Sequence, residues 1–330
     1  MKAILCERFG PPEDLVVAEV EEPEPGPGEI QIAVRAAGVG YVDGLMVQGL
    51  YQEKPPLPHV PGSEFAGVVA ALGAGVEDWS VGDRVMGMAS TGAFGEKLVQ
   101  PAALCVATPD RLADTEAAGF LLNHATALHG LRDRGGLEAG ETILVLGAAG
   151  GVGLATMAMA KALGGRIIAA ASSPEKRELA LAAGAEAAVD YSRDDWRREL
   201  QGLTAESGLQ MVWDPVGGAA AEAAMRSLSW GGRHLVVGFA SGTIPKVGLN
   251  IPLLKQCQII GVDWGANRRQ NHAYAMAIER EAAAWVAQGR LSPAAVTSRP
   301  LAEAAAVLRR QLDRGALGKV VLTITPSERA

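Results

Sequence analysis

The apolar positions of this chain fall into two textures. From residue 1 to about 120 they come in short runs, "ILCERFG", "IQIAVRAAGV", "FAGVVAALG", "DRVMGM" and "EKLVQPAALCVATP", broken by Gly and by the proline-rich connectors "EEPEPGPGE" and "EKPPLPHVPG". Proline fixes φ and removes a donor, so these connectors read as extended loops between strands, and the segment is predicted to be a small twisted β-domain. From about residue 121 apolar runs alternate with helical periods. Strands are predicted over 142–146, 166–171, 187–190, 211–213, 234–237 and 259–262. The stretches "LATMAMAKAL", "PEKRELALAAG", "DWRRELQGL" and "AAAEAAMRSL" between them carry helical spacing and often end at Gly. Six strands alternating with helices predict a doubly wound parallel sheet. After Trp264 a helical stretch, "QNHAYAMAIEREAAAWVAQG", and a strand, "KVVLTI", extend the second domain or return to the first.

Composition narrows this picture. At 330 residues the chain exceeds what one core usually serves, so two domains are expected. With 48% hydrophobic and 20% charged residues it has ample material for packed cores. The net charge of −7 repels phosphate backbones on average, which argues against a nucleic-acid partner. "MKAILCERFG" enters a strand pattern without a signal-peptide organisation, and no 18-residue apolar span occurs, so a cytoplasmic protein with no membrane partner is expected. Cys6, Cys105 and Cys257 lie far apart with no Cys-x-x-Cys pair, and are expected to be buried, reduced thiols.

The clearest chemistry lies in "LVLGAAGGVGLATMAMAKALG", a buried strand, a glycine turn and an alanine-rich helix. Glycines there let backbone approach a pyrophosphate while the helix N-terminus binds it. Gly150 and Gly153 fit the second and third glycines of G-x-G-x-x-G, Ala148 takes the first place, and Gly151 and Val152 belong to the same cofactor-binding turn. Some 20 residues on, where an acid selects the free ribose of NAD, the chain reads "AAASSPEKRE". Ser172 and Ser173 stand in that place with Lys176 and Arg177 just beyond, and Ser173 followed by Pro174 predicts a helix N-terminus aimed at the same spot. The missing acid and the added cations point to NADPH.

These residues, together with "GPGEIQIAVRAAGVGYVDGLMVQGLY", "PHVPGSEFAGVV", "VGDRVMGM", "WDPVGG", "GGRHLVVGFASG" and "GKVVLTI", resemble the medium-chain dehydrogenase/reductase superfamily, most of all its zinc-independent NADPH:quinone oxidoreductase branch. The resemblance covers nearly the whole chain. It implies an α/β protein with a GroES-like β-rich catalytic domain (1–121 and 266–330) and a Rossmann doubly wound parallel sheet (122–265), with the cofactor in the cleft between them. It also implies that Thr126, Gly238 and Phe239 lie near the nicotinamide, Tyr191 near the adenosine phosphate and Lys319 near the cofactor's far side. By analogy, the strand in "QIIGVDWG" continues a sheet across a two-fold axis in a homodimer.

The departures from that family bear on the chemistry. Zinc-dependent members have Cys where this chain has Gly40, and His where it has Ser63 in "GSE". A catalytic zinc needs about three protein ligands, so no metal is expected. Without a Lewis acid, hydride addition suits a quinone or an activated alkene or carbonyl, whose conjugation spreads the incoming charge. Candidate donors lie in "GYVDGLMVQGLY": Tyr51, placed like a tyrosine implicated in catalysis in enoyl-thioester reductases of the superfamily, its neighbour in the motif Tyr41, and Asp43, an acid many members carry. The alternative is an enoyl-thioester (enoyl-CoA) reductase, for which Arg268 and Arg269 on an expected loop offer a basic entrance. A third reading is an NADPH-binding protein without turnover.

Overall fold

A computed structural model describes residues 1–325. The chain forms two compact units, one built from Met1–Leu122, His272–Gly289 and the described residues from Ala295 on, the other from Asn123–Asn271 and Arg290–Ala294.

In the first unit β1 (Lys2–Leu5) pairs antiparallel with β2 (Val16–Glu19). The centre is the long strand β3 (Glu29–Val39), antiparallel to β4 (Glu64–Leu72), which pairs in turn with β5 (Arg84–Met88). Strand β6 (Lys97–Pro101) pairs with the first half of β3, and β7 (Cys105–Ala107) flanks β5. Alternation along β3 and β4 sends Ile30, Ile32, Val34, Phe65 and Val69 into one core with Phe94 and Leu98. Register shifts between Gln31/Ile32 and Val34/Ala36 bend the pair, giving the curvature a small barrel-like sheet needs.

The second unit is a six-stranded sheet of β8 (Thr142–Leu146), β9 (Arg166–Ala170), β10 (Ala187–Val189), β11 (Met211–Asp214), β12 (Arg233–Val236) and β13 (Gln258–Gly261). All neighbours are parallel, in the order β10-β9-β8-β11-β12-β13. This is the doubly wound order in which the chain reverses direction beside the first strand, and it makes the C-terminal end of β8 a ligand crevice. Every residue of β8 is buried, as expected of a parallel strand covered on both faces.

The helix His272–Ala287 belongs to the first unit, as do β14 (Val296–Pro300) and β15 (Lys319–Thr323). Strand β15 runs parallel to β14 and antiparallel to β3, from Val320 opposite Val39 to Thr323 opposite Ala36. The final strand therefore completes the sheet that the first strands began. Among the described residues no helix is long and apolar enough to cross a membrane.

Candidate functional site

At the end of β8 the backbone turns at Gly147 (φ +62) and enters the helix Gly151–Ala162, with Gly150 as its N-cap. The first helical bond runs from Leu154 N to Gly150 O (2.9 Å), so the amides of Gly151, Val152 and Gly153 have no acceptor within the helix. The glycines of this turn have different physical reasons. A Cβ on Gly153 would overlap the Gly147 carbonyl oxygen and stand 2.7 Å from Ala148 Cα, so the strand-helix packing itself demands glycine. A Cβ on Gly150 would meet only Gly147 O at 3.5 Å, an ordinary contact, and its φ of −82° suits any residue. The fold does not require glycine at 150; the space in front of it is a cradle that a Cβ would fill. That cradle, the orphan amides and the helix dipole fit a pyrophosphate.

Next to it, at the end of β9, Ser173 caps the helix Pro174–Ala182, its Oγ accepting from Lys176 N (3.3 Å). Ser172 is exposed, and Lys176 and Tyr191 are half-buried at the ends of neighbouring elements. Arg177 is engaged: its guanidinium donates to Ala171 O (3.2 Å) and pairs with Asp190 at 2.7 Å. The Ser192 hydroxyl and the Arg177 charge hold the Asp190 carboxyl below the usual carboxylate range. The Asp190 charge is thereby offset by the Arg177 guanidinium. Thr126 is buried on the helix Leu121–Leu128. Gly238 follows β12, and Phe239 after it is 38% exposed, so it is not a core aromatic.

In the first unit, the helix Tyr41–Val47 starts immediately beyond β3, and its third residue turns inward. Asp43 is buried; its Oδ2 accepts from Gly40 N (2.7 Å), as an N3 carboxylate does at a helix start, and its Oδ1 from Ser63 Oγ (2.7 Å). Glu64, the first residue of β4, is 1% exposed, accepts from Leu122 N (2.9 Å) and pairs with Lys319 Nζ at 2.7 Å. Burial pushes both carboxyl groups up, while Lys319 opposes that for each. Gly38 permits the approach: a Cβ there would overlap Ala118 O and stand 2.5 Å from Glu64 Oε2. Tyr41 opens the helix and Tyr51 follows it in the next turn, both half-buried. Lys319, expected beside the cofactor, has its ammonium committed to Glu64.

At the two positions where zinc-dependent relatives carry ligands, Gly40 has no side chain and the Ser63 hydroxyl is donated to Asp43. Among the described residues no group of three His, Cys, Asp or Glu could hold a metal ion. The donor set does not fit a catalytic zinc. Three residues of these sites have no role in the motif pattern alone: Ser63, noticed only for standing where zinc-dependent members have His, Glu64 beside it, and Asp214, whose Oδ1 caps the turn after β11 through Val216 N (2.9 Å) and Gly217 N (2.7 Å). Arg268 and Arg269 lie in the last turn of the helix Trp264–Gln270 rather than on a loop, because Asp263 caps that helix at Ala266 N.

Comparison with known proteins agrees with this geometry. The family described as "Alcohol dehydrogenase GroES-like domain" matches residues 26–110, and "Zinc-binding dehydrogenase" matches 151–280. "Quinone oxidoreductase-like protein 2" of Bos taurus is 35% identical over 98% of this chain and 92% of its own. A mycobacterial structure complexed with NADPH is 32% identical, with a TM-score of 0.88 over 98% of this chain and 100% of that one. A segment of the "Mycocerosic acid synthase-like polyketide synthase" of Mycobacterium tuberculosis is 32% identical over 96% of this chain, which spans 15% of that protein. With a GroES-like β-unit, a Rossmann sheet and full-length relatives of this kind, the chain belongs to the medium-chain dehydrogenase/reductase superfamily.

Proposed function

We propose that this chain is an NADPH-dependent oxidoreductase that reduces quinones or related activated alkenes and carbonyls without zinc. The observation that carries the cofactor reading is Gly150, a glycine at a position where the fold accepts a Cβ, set before three unpaired helix amides. When bound, NADPH supplies the hydride. The amides of Gly151, Val152 and Gly153 hold its pyrophosphate, while Ser172, Ser173, Lys176 and Tyr191 hold the 2′-phosphate beside a helix N-terminus. The relatives' names support this reading: one is a quinone oxidoreductase-like protein and one structure is complexed with NADPH. Tyr51 donates its phenol to the oxygen that gains charge. Asp43 fixes the start of the helix bearing Tyr41, through Gly40 and Ser63.

The test is a pair of alanine variants. Gly150→Ala should unfold like the wild type yet bind NADPH at least about tenfold more weakly, since the added methyl occupies the cradle and tenfold is only about 1.4 kcal/mol. Gly153→Ala, which drives a Cβ into fixed backbone, should lose stability as well. Unchanged NADPH affinity in Gly150→Ala rejects the cradle.

The polyketide synthase match favours a second reading, reduction of an enoyl thioester. Turnover of NADPH with crotonyl-CoA but not with 1,4-benzoquinone selects it. We also infer a homodimer formed through β13, the outer strand of the parallel sheet. Among the described residues no strand pairs with its outer edge; β13 carries exposed Ile259, and Leu249, Leu253 and Leu254 beside it in sequence are each at least 70% exposed. Sedimentation equilibrium decides between one and two copies.

A further inference from the structure

His234 is a polar residue inside a strand whose next two residues are Leu235 and Val236, and its side chain is 2% exposed. Its Nε2 lies 3.0 Å from Oδ2 of Asp214, which is equally buried, while its Nδ1 is buried with no partner among the described residues. A carboxylate oxygen only accepts, so Nε2 carries the proton.

The pair is connected to the ligand end of the sheet. Asp214 uses its other oxygen on Val216 N and Gly217 N, and its carbonyl accepts from Val237 N (2.9 Å). The turn at 215–218 is fastened to the segment 239–243. Ala240 N donates to Pro215 O (3.0 Å), Ser241 N to Val216 O (2.9 Å) and Gly218 N to Thr243 O (3.0 Å). Gly217 faces Phe239, where a Cβ would come within 2.9 Å of the ring, and Val216 Cγ2 stands 3.1 Å from where a Cβ on Gly147 would sit. One buried carboxylate thus anchors the turn that separates the Gly147 corner from Phe239.

We propose that His234 is a positioning residue for the cofactor: by donating to Asp214 it fixes the 215–218 turn, and through it the Phe239 segment, in the arrangement that receives the nicotinamide end. This rests on the NADPH reading. Without the donor, Asp214 Oδ2 is a buried acceptor left unpaired, and the carboxylate must swing to find a partner, releasing Val216 and Gly217.

The amide of Gln places its nitrogen where His has Nε2, whereas Asn ends where His has Nδ1, so His234→Gln reaches Asp214 and His234→Asn does not. Fluorescence titration with NADPH should show His234→Gln within about threefold of wild type and His234→Asn about tenfold or more weaker, the effect of losing one charge-assisted hydrogen bond. In the free protein, hydrogen exchange of peptides covering 215–218 and 239–243 should rise in His234→Asn and not in His234→Gln, with global unfolding monitored alongside. That second measurement needs no cofactor, so it tests the positioning role even if the NADPH reading fails. Equal exchange and equal affinity in the two variants would overturn the proposal and leave His234 a packing residue. A rise in exchange over the whole unit, rather than these two segments, would overturn it too.

Discussion

Lys319→Met isolates the value of the buried ion pair in the first unit. Glu64 is 1% exposed and Lys319 9%, and their 2.7 Å contact has little solvent to screen it. Removing one member of such a pair leaves an uncompensated buried charge and costs about 3–5 kcal/mol. Among the described residues Glu64 then keeps the Leu122 amide as its hydrogen-bond donor, and the Asp43 carboxylate nearby adds to the penalty. With a urea m-value of about 2–3 kcal/mol/M, the midpoint for the first unit should fall by roughly 1–2.5 M. The sign with pH follows from the same charges. Burial already raises the Glu64 carboxyl in the folded state, and removing Lys319 takes away its largest opposing influence. The folded variant then binds a proton that the unfolded chain has released. The loss is therefore larger at high pH and shrinks as pH falls through the raised folded-state value towards the ordinary Glu value of about 4.3, below which both states are protonated. The double variant Glu64→Gln/Lys319→Met, which removes both members of the pair together, should recover most of the stability at pH 8. Urea titrations at pH 5 and 8, with hydrogen exchange of β3 and β4 peptides to read the first unit separately, make the measurement. A loss under about 1 kcal/mol, or a double variant no better than the single, would refute the reasoning.

Lys176→Ala should weaken NADPH by about 1–3 kcal/mol and NADH little, as a charge-assisted bond to the 2′-phosphate requires; equal losses in calorimetric titrations sink that assignment. Tyr51→Phe should lower kcat by about 10²–10³ with an enal or enoyl thioester and far less with 1,4-benzoquinone, whose reduced oxygen is a weaker base, while NADPH affinity stays put. Steady-state assays showing no change with any acceptor make Tyr51 a lining residue. Dialysis against a strong chelator should leave NADPH oxidation intact; stoichiometric zinc lost together with activity contradicts a zinc-free site.

The parallel sheet was readable because strands covered on both faces are continuous apolar runs: "TILVL" is buried throughout, and its turn announces itself in glycine. Strands β2 and β14 carried no such signal. "VVAE" and "VTSRP" lie on sheet edges with mostly exposed side chains, so nothing in them alternates between core and solvent. The Gly150 cradle and the Ser173 cap follow from local spacing and were legible for the same reason. The carboxylate cluster was not, because Asp43, Ser63, Glu64 and Lys319 meet only once β15 lies against β3 and β4 is in register beside it. Asp214 and His234 are equally silent in sequence: their contact depends on β11 and β12 running parallel with Val212 opposite His234. Arg177, readable as a cation near the 2′-phosphate, is instead spent on Asp190, a pairing set by the adjacency of β9 and β10.

The place of β15 has a consequence for how the chain is made. Lys319 leaves the ribosome 255 residues after Glu64, a delay of roughly 13–50 s at ordinary rates of synthesis. Through that interval the second half of β3, from Ala36 to Val39, lacks its β15 partner, and Glu64 lacks its counter-charge. The nucleotide unit, by contrast, is almost one continuous stretch, Asn123–Asn271, and can condense while the first unit waits. Vectorial synthesis therefore reverses the order of the sequence: the second unit matures first, and the apolar edge of β3 depends on the last strand for protection while Glu64 on the neighbouring β4 waits for its counter-charge, which makes nascent chains halted before residue 319 the form most exposed to edge-to-edge aggregation.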